Sequence, residues 1–248
     1  MSTKTTIFAT MRPGTEKKLY TKVKSKELAV KHVCEVGVWL PEMSNILDFI
    51  VKDKQRTTLV EPDPKSIAAI RTYFRDYPNV ELLPYAAFDH AGTLELVQRN
   101  ASTFVSTLPY SPAQVNDNYH IRQEDRFTVE CRRFDDLDDG SIDLLSVDTE
   151  GSEWYVIKYL KSRPLVISVE MHGKSYLNPY YTEIAEWMTR EGYDKWYMDK
   201  TDIVYYKKAA FAVSGAEKLQ LSWMATSVRF RRARKRITRF FSGTKTKK

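Results

Sequence analysis

Short apolar runs alternate with amphipathic stretches along most of the chain, and this order predicts an α/β domain. Apolar runs bounded by acids, glycine or proline are typical of strands buried on both faces of a sheet. The predicted strands cover residues 32–37, 57–62, 80–86, 94–97, 127–132, 142–147, 165–170, 196–198 and 203–206. The predicted helices cover residues 14–30, 45–51, 65–75, 153–160 and 182–191. The alternation favours a doubly wound, mostly parallel sheet with helices on both faces.

Residues 98–126 do not follow this pattern, because they are polar and lack a clear period. A loop of this length in a compact domain is usually a lid or a binding segment. Its side chains suit a polyhydroxylated acceptor through hydrogen bonds and ring stacking, although a solvated loop explains them as well. They are Tyr110, Asn116, Asn118, Tyr119, His120 and Arg122. Residues 127–132, which follow, alternate in polarity as an edge strand does.

The length and the distribution of charge divide the chain into three predicted parts. The 248 residues suit one α/β domain with an extension. Residues 229–248 hold ten Lys or Arg and no acid, so residues 1–228 have a formal charge of −3 although the whole chain carries +7. We predict a helical segment over residues 1–30, the α/β domain over residues 31–210 and a basic tail over residues 211–248. A split of this kind indicates that the tail has its own partner.

Two further features of the composition bear on location. The chain contains no run of about 18 apolar residues, so the sequence predicts no membrane-spanning helix. Residues 1–13 lack the apolar core of a secretion signal. We therefore expect a cytoplasmic protein.

Cys34 and Cys131 make neither a disulfide framework nor a metal-ligand set, and we expect both to be small buried hydrophobes.

Polar residues gather at the ends of the predicted strands, where a doubly wound sheet binds its ligands. They are Glu35, Glu61, Asp148, Glu170 and His172. Gly37 permits a sharp turn and the close approach of a ligand, or it is an ordinary strand-exit glycine. A dinucleotide site would show Gly-x-Gly-x-x-Gly, but Trp39 and Pro41 follow a single glycine here. A nucleoside without a diphosphate, such as S-adenosylmethionine, fits better, with the Glu61 carboxylate on its ribose.

Four motifs follow one another in a fixed order within residues 31–190. They are Glu35-Val36-Gly37, Glu61-Pro62-Asp63-Pro64, Tyr85-Ala86-Ala87 and Ile142-Asp143-Leu144-Leu145-Ser146-Val147-Asp148-Thr149-Glu150-Gly151-Ser152-Glu153. Val169-Glu170-Met171-His172 adds an acid-x-His strand end. On these motifs, of which Asp-x-Glu-Gly-x-Glu is the most specific, the chain resembles the FkbM family of class I methyltransferases.

The resemblance implies a Rossmann-like, seven-stranded class I methyltransferase fold with S-adenosyl-L-methionine as the cofactor. It implies that Glu35 and Gly37 lie by the methionine part of the cofactor and that Glu61 holds the ribose. Residues 85–87 would line the adenine side, and Asp148 would lie close to the methyl group. The complete predicted cofactor-binding set is Glu35, Gly37, Val38, Trp39, Ser44, Glu61, Pro62, Tyr85, Ala86, Ala87 and Asp148.

Several positions depart from the family's usual sequence. The first motif usually begins with Asp and continues Gly-Ala-Asn-x-Gly, whereas this chain has Glu35 and then, from residue 37, Gly-Val-Trp-Leu-Pro. The family commonly has Lys two residues before the central Asp, where this chain has Ser146. The departures at Trp39 and Pro41 support one alternative, a non-catalytic scaffold that keeps the fold.

Methyl transfer to a hydroxyl requires an aligned acceptor and a base that removes the proton. The predicted catalytic residues are Asp148, His172, Glu170 and Glu150. Histidine has the most suitable ordinary pKa, although His172 is also explained as a residue that orders a loop. Asp148, Glu150 and Glu170 are candidate Mg²⁺ ligands, although carboxylates at strand ends are common without a metal. Glu153 is explained as well by its place in the first turn of a helix.

The basic tail has the pattern of a helix that lies in a membrane interface. Residues 215–241 can form one long helix in which apolar side chains share a stripe and arginines fill the rest. The predicted membrane-contacting residues are Trp223, Phe230, Arg231, Arg232, Arg234, Lys235, Arg236, Ile237, Phe240 and Phe241. Nucleic acid is a competing partner, because counterion release serves any polyanion, and a tail that binds nothing is a third explanation. The apolar stripe favours an anionic membrane surface.

Together these features predict an O-methyltransferase that is cytoplasmic and peripherally associated with the inner face of the membrane. Its expected acceptor is a sugar hydroxyl of a glycan or a lipid-linked saccharide. One alternative is a small-molecule O-methyltransferase of the polyketide type. The others are an RNA methyltransferase whose tail is an electrostatic arm, and the scaffold.

Overall fold

The computed structural model describes residues 16–99, 102–108, 110–117, 119–173 and 175–226 of the chain. Its helices are α1 (Lys18–Lys24), α2 (Leu47–Val51), α3 (Pro64–Tyr73), α4 (Pro112–Asp117), α5 (Phe134–Leu137), α6 (Glu153–Ile157) and α7 (Tyr181–Arg190). Its strands are β1 (His32–Val36), β2 (Arg56–Val60), β3 (Val80–Leu83), β4 (Ala86–Ala87), β5 (Gly92–Arg99), β6 (Ser102–Val105), β7 (Arg126–Arg132), β8 (Leu144–Val147), β9 (Val166–Glu170), β10 (Tyr193–Met198) and β11 (Asp202–Lys207). Residues 215–226 are also helical and are called the C-terminal helix below.

Seven of the described strands form one sheet in the order β10–β11–β9–β8–β1–β2–β3. β11 pairs antiparallel with β9 and β10, and the other neighbours in this sheet pair in parallel. The order reverses beside β1, because the chain first winds outward to β3 and later returns to place β8 on the other side of β1. A doubly wound sheet opens a crevice at its carboxyl edge at such a reversal. The predicted fold class is confirmed.

The central strands β1, β8 and β9 are buried at every residue because helices cover both faces of the sheet. Val33 belongs to the core cluster that includes α1, α2 and α3, whereas its neighbour Cys34 belongs to the cluster that includes α5, α6 and α7. Leu144 and Leu145 divide between the two clusters in the same way. Both cysteines are buried free thiols, in agreement with the sequence prediction.

A second, four-stranded sheet stands between β3 and β8 in the chain, in the order β4–β7–β5–β6. The predicted loop over residues 98–126 is therefore wrong, because this stretch contains β6, α4 and a single-turn 3-10 helix at Gln123–Asp125. β5 and β6 form an antiparallel hairpin in which buried Leu96 pairs with buried Val105. The edge position predicted for β7 is also wrong, since β7 lies between β4 and β5 and alternates because one face is exposed.

The N-terminal segment packs onto the main sheet through α1. Leu19, Tyr20 and Val23 are buried in the core cluster that also contains residues of α2 and α3. The backbone amide of Lys17 donates to Asp48 Oδ2 at 2.6 Å, which ties the start of α1 to α2. This helix therefore shares the core of the α/β domain.

The C-terminal helix begins where the sequence predicts, directly after Ser214. Ser214 and Glu217 form a capping box, in which the Ser214 amide donates to Glu217 Oε2 at 2.9 Å and the Glu217 amide donates to Ser214 Oγ at 3.2 Å. The predicted continuation to residue 241, with the membrane-contacting residues from Phe230 to Phe241, lies outside the described residues. No described helix is long and apolar enough to cross a bilayer.

Candidate active site

A cavity of about 1480 Å³ opens at the carboxyl edge of the main sheet. Residues that follow β1, β2, β8 and β9 line it, together with residues of the second sheet and of the C-terminal helix. The cavity brings together almost all of the predicted site residues. They are Glu35, Gly37, Val38, Trp39, Glu61, Pro62, Tyr85, Ala86, Ala87, Asp148, Glu150, Glu170 and His172. Ser44 is not part of this lining; it is buried, and its Oγ accepts from the Ile46 amide at 3.2 Å.

Gly37 ends β1 in a turn that requires glycine. Its φ is +81°, and a Cβ on it would lie 1.8 Å from the carbonyl oxygen of Asp148. The Gly37 amide donates to the Val60 carbonyl at 2.9 Å, and the Asp148 amide donates to the Val36 carbonyl at 2.9 Å. These bonds hold the exits of β1, β2 and β8 against one another, so the turn has no room for a side chain.

Glu61, at the end of β2, supports the same turn. Its Oε2 accepts from the amides of Val38 and Trp39 at 2.8 and 2.9 Å, and its Oε1 accepts from the Asp63 amide at 3.0 Å. Burial raises the pKa of Glu61, and these amides oppose the rise because they stabilise the carboxylate. Each carboxylate oxygen has more than one acceptor position, so a ribose hydroxyl can bind beside the amides.

Trp39 and Pro41, which depart from the family sequence, do not disrupt the backbone of this turn. Trp39 has φ +56°, a left-handed conformation that Asn adopts more readily, and Asn is the family's usual residue there. Its amide is held by Glu61, and Pro41 begins a single-turn 3-10 helix at Pro41–Met43, where its fixed φ is suitable. The departures therefore change the side chains at the cavity more than the path of the chain.

Glu35 is a buried acid whose ordinary ionisation is strongly perturbed. Its Oε1 accepts from the Asn45 amide at 2.8 Å, and its side chain faces the cavity. Burial raises the pKa of Glu35 to about 7, and hydrogen bonding, including that of the Asn45 amide, partly opposes the rise. A cationic ligand beside Glu35 would favour its ionised form.

We expect Glu35→Gln to change how the stability of the protein depends on pH. The folded pKa lies above the unfolded value of about 4.5, so the folded state holds the proton more tightly and loses stability as pH rises through that window to about 7. Between pH 5 and pH 8 the free energy of unfolding of the wild type should fall relative to that of Glu35→Gln, by up to about 3 kcal/mol. Urea unfolding at several pH values, without cofactor, measures this difference.

Glu130→Gln is the matched control, because Glu130 is an exposed carboxylate on β7. Its unfolding profile should run parallel to that of the wild type. Parallel profiles for Glu35→Gln and the wild type would contradict the perturbed ionisation of Glu35.

The segment after β3 forms the wall predicted to face adenine. Ala86 and Ala87 are the two residues of β4, both buried, and they pair with β7. The Arg132 guanidinium lies over the ring of Tyr85, 4.2 Å from its centre. This contact holds the ring at the rim of the cavity, and the small side chains of β4 leave space beside it.

Acids dominate the end of the cavity that lies beyond β8 and β9. Burial raises the pKa of Asp148 well above its ordinary value, and the neighbouring Glu150, Asp202 and Glu153 raise it further. Burial and then Asp148 raise the pKa of Glu170 in the same way. Such a group of carboxylates suits a positively charged ligand and contains strong candidate bases.

Glu153 has a structural role at the start of α6. Its Oε1 accepts from the amides of Thr149 and Gly151 at 2.9 and 3.1 Å, and the side-chain amide of Asn178 donates to its Oε2. These bonds shape the turn after β8 and hold α6 against the segment that follows β9. These contacts at the first turn of α6 therefore explain why a glutamate stands at position 153.

The carboxylates that could hold a metal ion differ from the predicted set at one position. Among the described residues, single oxygens of Asp148, Glu153 and Glu170 lie within 4.8 Å of one another. The predicted ligand Glu150 is not part of this group, and its Oε1 accepts from Ser102 Oγ at 2.9 Å. That bond ties Glu150 to β6, across the cavity from β9.

The sequence did not reveal the opposite wall of the cavity. This wall comes from β5, β6, the turn before β11 and the C-terminal helix. Its residues are Leu94, Leu96, Thr103, Phe104, Val105, Asp199, Lys200, Thr201, Asp202 and Met224. The alternation of Leu94 and Leu96 was the available signal, but the polar residues that follow concealed the partner strand.

The acceptor residues predicted between β6 and β7 lie mostly away from the cavity. Tyr119 Oη donates to Asp125 Oδ2 at 2.5 Å, and Arg122 Nε donates to the same oxygen at 2.9 Å. Asn116 does line the cavity. Tyr110 and His120 are not in its lining, and Asn118 lies outside the described residues.

Comparisons with solved structures find methyltransferases at low identity. A precorrin-6y C5,15-methyltransferase from Geobacter metallireducens is 17% identical, with 81% of this chain and 95% of that chain covered and a TM-score of 0.39. A fibrillarin from Aeropyrum pernix, in complex with S-adenosyl-L-methionine, is 12% identical, with coverages of 76% and 73% and a TM-score of 0.42. A SAM-dependent methyltransferase from Aquifex aeolicus is 12% identical, with coverages of 77% and 89% and a TM-score of 0.41.

A comparison with curated proteins finds no match. The family profile described as the methyltransferase FkbM domain matches residues 32–195, which is more than half of the chain. This range begins with β1 and ends within β10, so it contains the turn at Gly37, Glu61 and the acids that follow β8 and β9. The chain therefore belongs to the FkbM family of S-adenosylmethionine-dependent methyltransferases.

Proposed function

We propose that this methyltransferase transfers the methyl group to a hydroxyl oxygen of a saccharide, on a glycan or a lipid-linked saccharide at an anionic membrane surface on the cytoplasmic side. The observation that carries the proposal is the grouping of Asp148, Glu170 and His172 at the carboxyl edge of the sheet. This group adjoins the turn at Gly37, which approaches Asp148 closely. A hydroxyl must lose a proton during methylation, and this grouping offers bases beside the predicted cofactor.

When bound, S-adenosylmethionine supplies a methyl group on a sulfonium whose departure leaves a neutral thioether. Glu61 and the amides that it orders are suited to fix the ribose, and Glu35 is suited to bind the ammonium group. Asp148 would attract the positive charge near the methyl group. Glu170 or His172 would accept the acceptor's proton as its oxygen bonds to the methyl carbon, which the raised pKa of Glu170 favours.

The size of the cavity supports the binding of an acceptor together with the cofactor. Ligand pockets are typically about 300–1,000 Å³, and this one is about 1480 Å³. Asn116, Lys200 and Thr201 offer hydrogen bonds of both kinds to sugar hydroxyls. A saccharide with an attached group could therefore occupy the cavity together with the cofactor.

A divalent cation, with Mg²⁺ as the first candidate, is proposed as an optional partner of the same acids. The oxygens of Asp148, Glu153 and Glu170 have suitable spacing, and oxygen is the ligand that Mg²⁺ prefers. A bound cation would lower the pKa of the acceptor hydroxyl. The two oxygens of Glu153 already accept three hydrogen bonds, so Asp148 and Glu170 would carry most of the coordination.

Titration calorimetry of S-adenosylmethionine and S-adenosylhomocysteine into the purified chain tests the cofactor site. Glu61→Gln should weaken both at least about tenfold, because a charge-assisted hydrogen bond contributes about 1.5–3 kcal/mol. The exposed variant Glu130→Gln should bind as the wild type does. Repeating the titration after EDTA and again with Mg²⁺ tests the cation, which should leave cofactor affinity nearly unchanged. In the turnover assay described next, added Mg²⁺ should raise the rate.

Turnover is followed as tritiated methyl groups incorporated into saccharides and lipid extracts. Label that enters RNA or a free polyketide in preference to saccharides would contradict the proposed acceptor. A folded protein that binds neither S-adenosylmethionine nor S-adenosylhomocysteine would support the alternative of a non-catalytic scaffold.

A further inference from the structure

The C-terminal helix is anchored firmly to the domain at its first turn. Beyond the capping box, Glu217 Oε1 accepts from Trp196 Nε1 at 2.9 Å, and Lys26 Nζ donates to Glu217 Oε2 at 2.8 Å. Lys22 Nζ lies 3.7 Å from Glu217 Oε1. Trp196 is fully buried in the core, so these contacts join the helix to both α1 and β10.

The two sides of this helix have different environments. Leu221, Met224 and Ala225 pack against the core cluster that contains α6 and α7. On the opposite side, Leu219 and Trp223 are 73% and 72% exposed. They are one helical turn apart and therefore neighbours on the same face. Two large apolar side chains at one exposed place indicate an interaction surface.

The same helix forms part of the wall of the active-site cavity. Met224 lines the cavity, together with Lys200 and Thr201 of the turn before β11. Trp223 and Met224 are consecutive residues of this helix, so a surface that binds Trp223 lies within one helical turn of the cavity wall. Whatever binds Leu219 and Trp223 is therefore held close to that wall.

Charge identifies the occupant of this face. Residues 229–248, which follow the C-terminal helix in the sequence, hold ten Lys or Arg and no acid, whereas residues 1–228 have a formal charge of −3. An anionic surface is therefore attracted to this end of the chain and repelled by the remainder. RNA would satisfy the charges and can stack a base on Trp223, but it offers no apolar phase for Leu219, whereas an anionic bilayer accepts both, with Trp at its interface.

We infer that the C-terminal helix docks the mouth of the cavity onto an anionic bilayer through Leu219 and Trp223, and that the acceptor is an amphiphile that enters the cavity from that bilayer. This inference rests on the proposed methyl-transfer function, since it concerns the acceptor of the same cavity. The apolar residues of the opposite wall of the cavity are suited to the lipid part of a lipid-linked acceptor. They are Leu94, Leu96, Phe104, Val105 and Met224. The acids and amides beyond β8 and β9 are suited to the saccharide.

Vesicle binding by the full chain tests the docking face. The probes are vesicles of phosphatidylcholine with 30% phosphatidylglycerol, and vesicles of phosphatidylcholine alone. The wild type should sediment with the anionic vesicles. The double variant Leu219→Ser/Trp223→Ser should lose at least about tenfold in partitioning, because insertion scales with buried apolar area. The control Gln220→Ala/Ser222→Ala changes exposed polar residues of the same helix and should bind as the wild type does.

A fluorescent label tests the orientation of the cavity. The label is attached to Lys200→Cys at the cavity and, in a second variant, to Lys31→Cys, which is exposed at the opposite edge of the sheet. Both native cysteines are buried and should react slowly. Brominated lipids in the anionic vesicles should quench the label at residue 200 severalfold more than the label at residue 31. Equal quenching would overturn the proposed orientation.

Cofactor calorimetry separates this inference from the proposed function. The double variant should bind S-adenosylmethionine as the wild type does, because Leu219 and Trp223 do not line the cavity. Cofactor binding with unchanged vesicle binding in that variant would overturn the docking face and leave the methyltransferase intact. Wild-type protein that binds RNA but neither type of vesicle would also overturn it.

Discussion

Gly37→Ala is expected to abolish S-adenosylmethionine binding and to cost about 4 kcal/mol or more of folding free energy, a loss that is rare for one methyl group. The Cβ would overlap the Asp148 carbonyl, at 1.8 Å, so β1 and β8 would have to separate next to their Val36–Val147 pair. The left-handed φ adds about 1–2 kcal/mol. Urea unfolding and calorimetry with S-adenosylmethionine measure the two effects.

Gly140→Ala is the matched control for this change. Gly140 has nearly the same backbone, φ +87°, but a Cβ there would meet nothing within 4 Å. It should therefore lose only the conformational cost, about 1–2 kcal/mol, and keep its affinity for the cofactor. If Gly37→Ala were no less stable than Gly140→Ala, the close approach of β1 and β8 would be refuted.

Asp148→Asn is expected to lower the rate of methyl transfer and to raise the stability of the folded protein. The substitution keeps the shape of the side chain but removes a buried charge beside Glu150, Glu153 and Asp202. Methyl transfer should fall at least about 100-fold, in the range expected for loss of a group that takes part in proton transfer or its electrostatics. The free energy of unfolding at pH 8 should rise by about 1–3 kcal/mol, because a repelled buried carboxylate is replaced by a neutral amide.

The readouts are methyl incorporation and urea unfolding of the cofactor-free protein. Asp136→Asn removes an exposed carboxylate of α5 and should change neither quantity. A variant at residue 148 with normal turnover would remove Asp148 from the catalytic group. A variant that is less stable at pH 8 than the wild type would contradict the electrostatic strain at this position.

The main sheet could be predicted because its strands carry their environment in their own sequence. Runs such as residues 142–147 and 165–170 are mostly apolar, and every residue of β8 and β9 within them is buried, which occurs when both faces are covered. In the second sheet, β5 and β7 were predicted as strands over residues 94–97 and 127–132, but β6 escaped prediction for the opposite reason. β6 is short, with only Phe104 and Val105 fully buried, lies among polar residues and pairs with β5, so its stability comes from a partner that no local pattern reveals.

The residues of the candidate site also fall into a group that the sequence could predict and a group that it could not. The residues after β1, β2, β8 and β9 were predicted, because the carboxyl ends of parallel strands meet at one edge. Ser44 and Glu150 show the limit of that reasoning: Ser44 is buried beside the lining, and Glu150 accepts from Ser102. Their directions depend on single backbone torsions, including φ +55° at Glu150, which a sequence motif does not specify.

The central position of β1 has a consequence for how the chain is made. β1 pairs with β2 soon after synthesis, but its other neighbour, β8, begins at Leu144, which pairs with Val33. At about 5–20 residues per second, an emerging chain waits roughly 5–20 s for that partner. During this interval one edge of a strand that is buried at every residue in the folded protein is uncovered, whereas β5 and β6 can pair as a local hairpin. The nascent chain is therefore most vulnerable to aggregation, and most in need of a chaperone, between the completion of β1 and the arrival of β8.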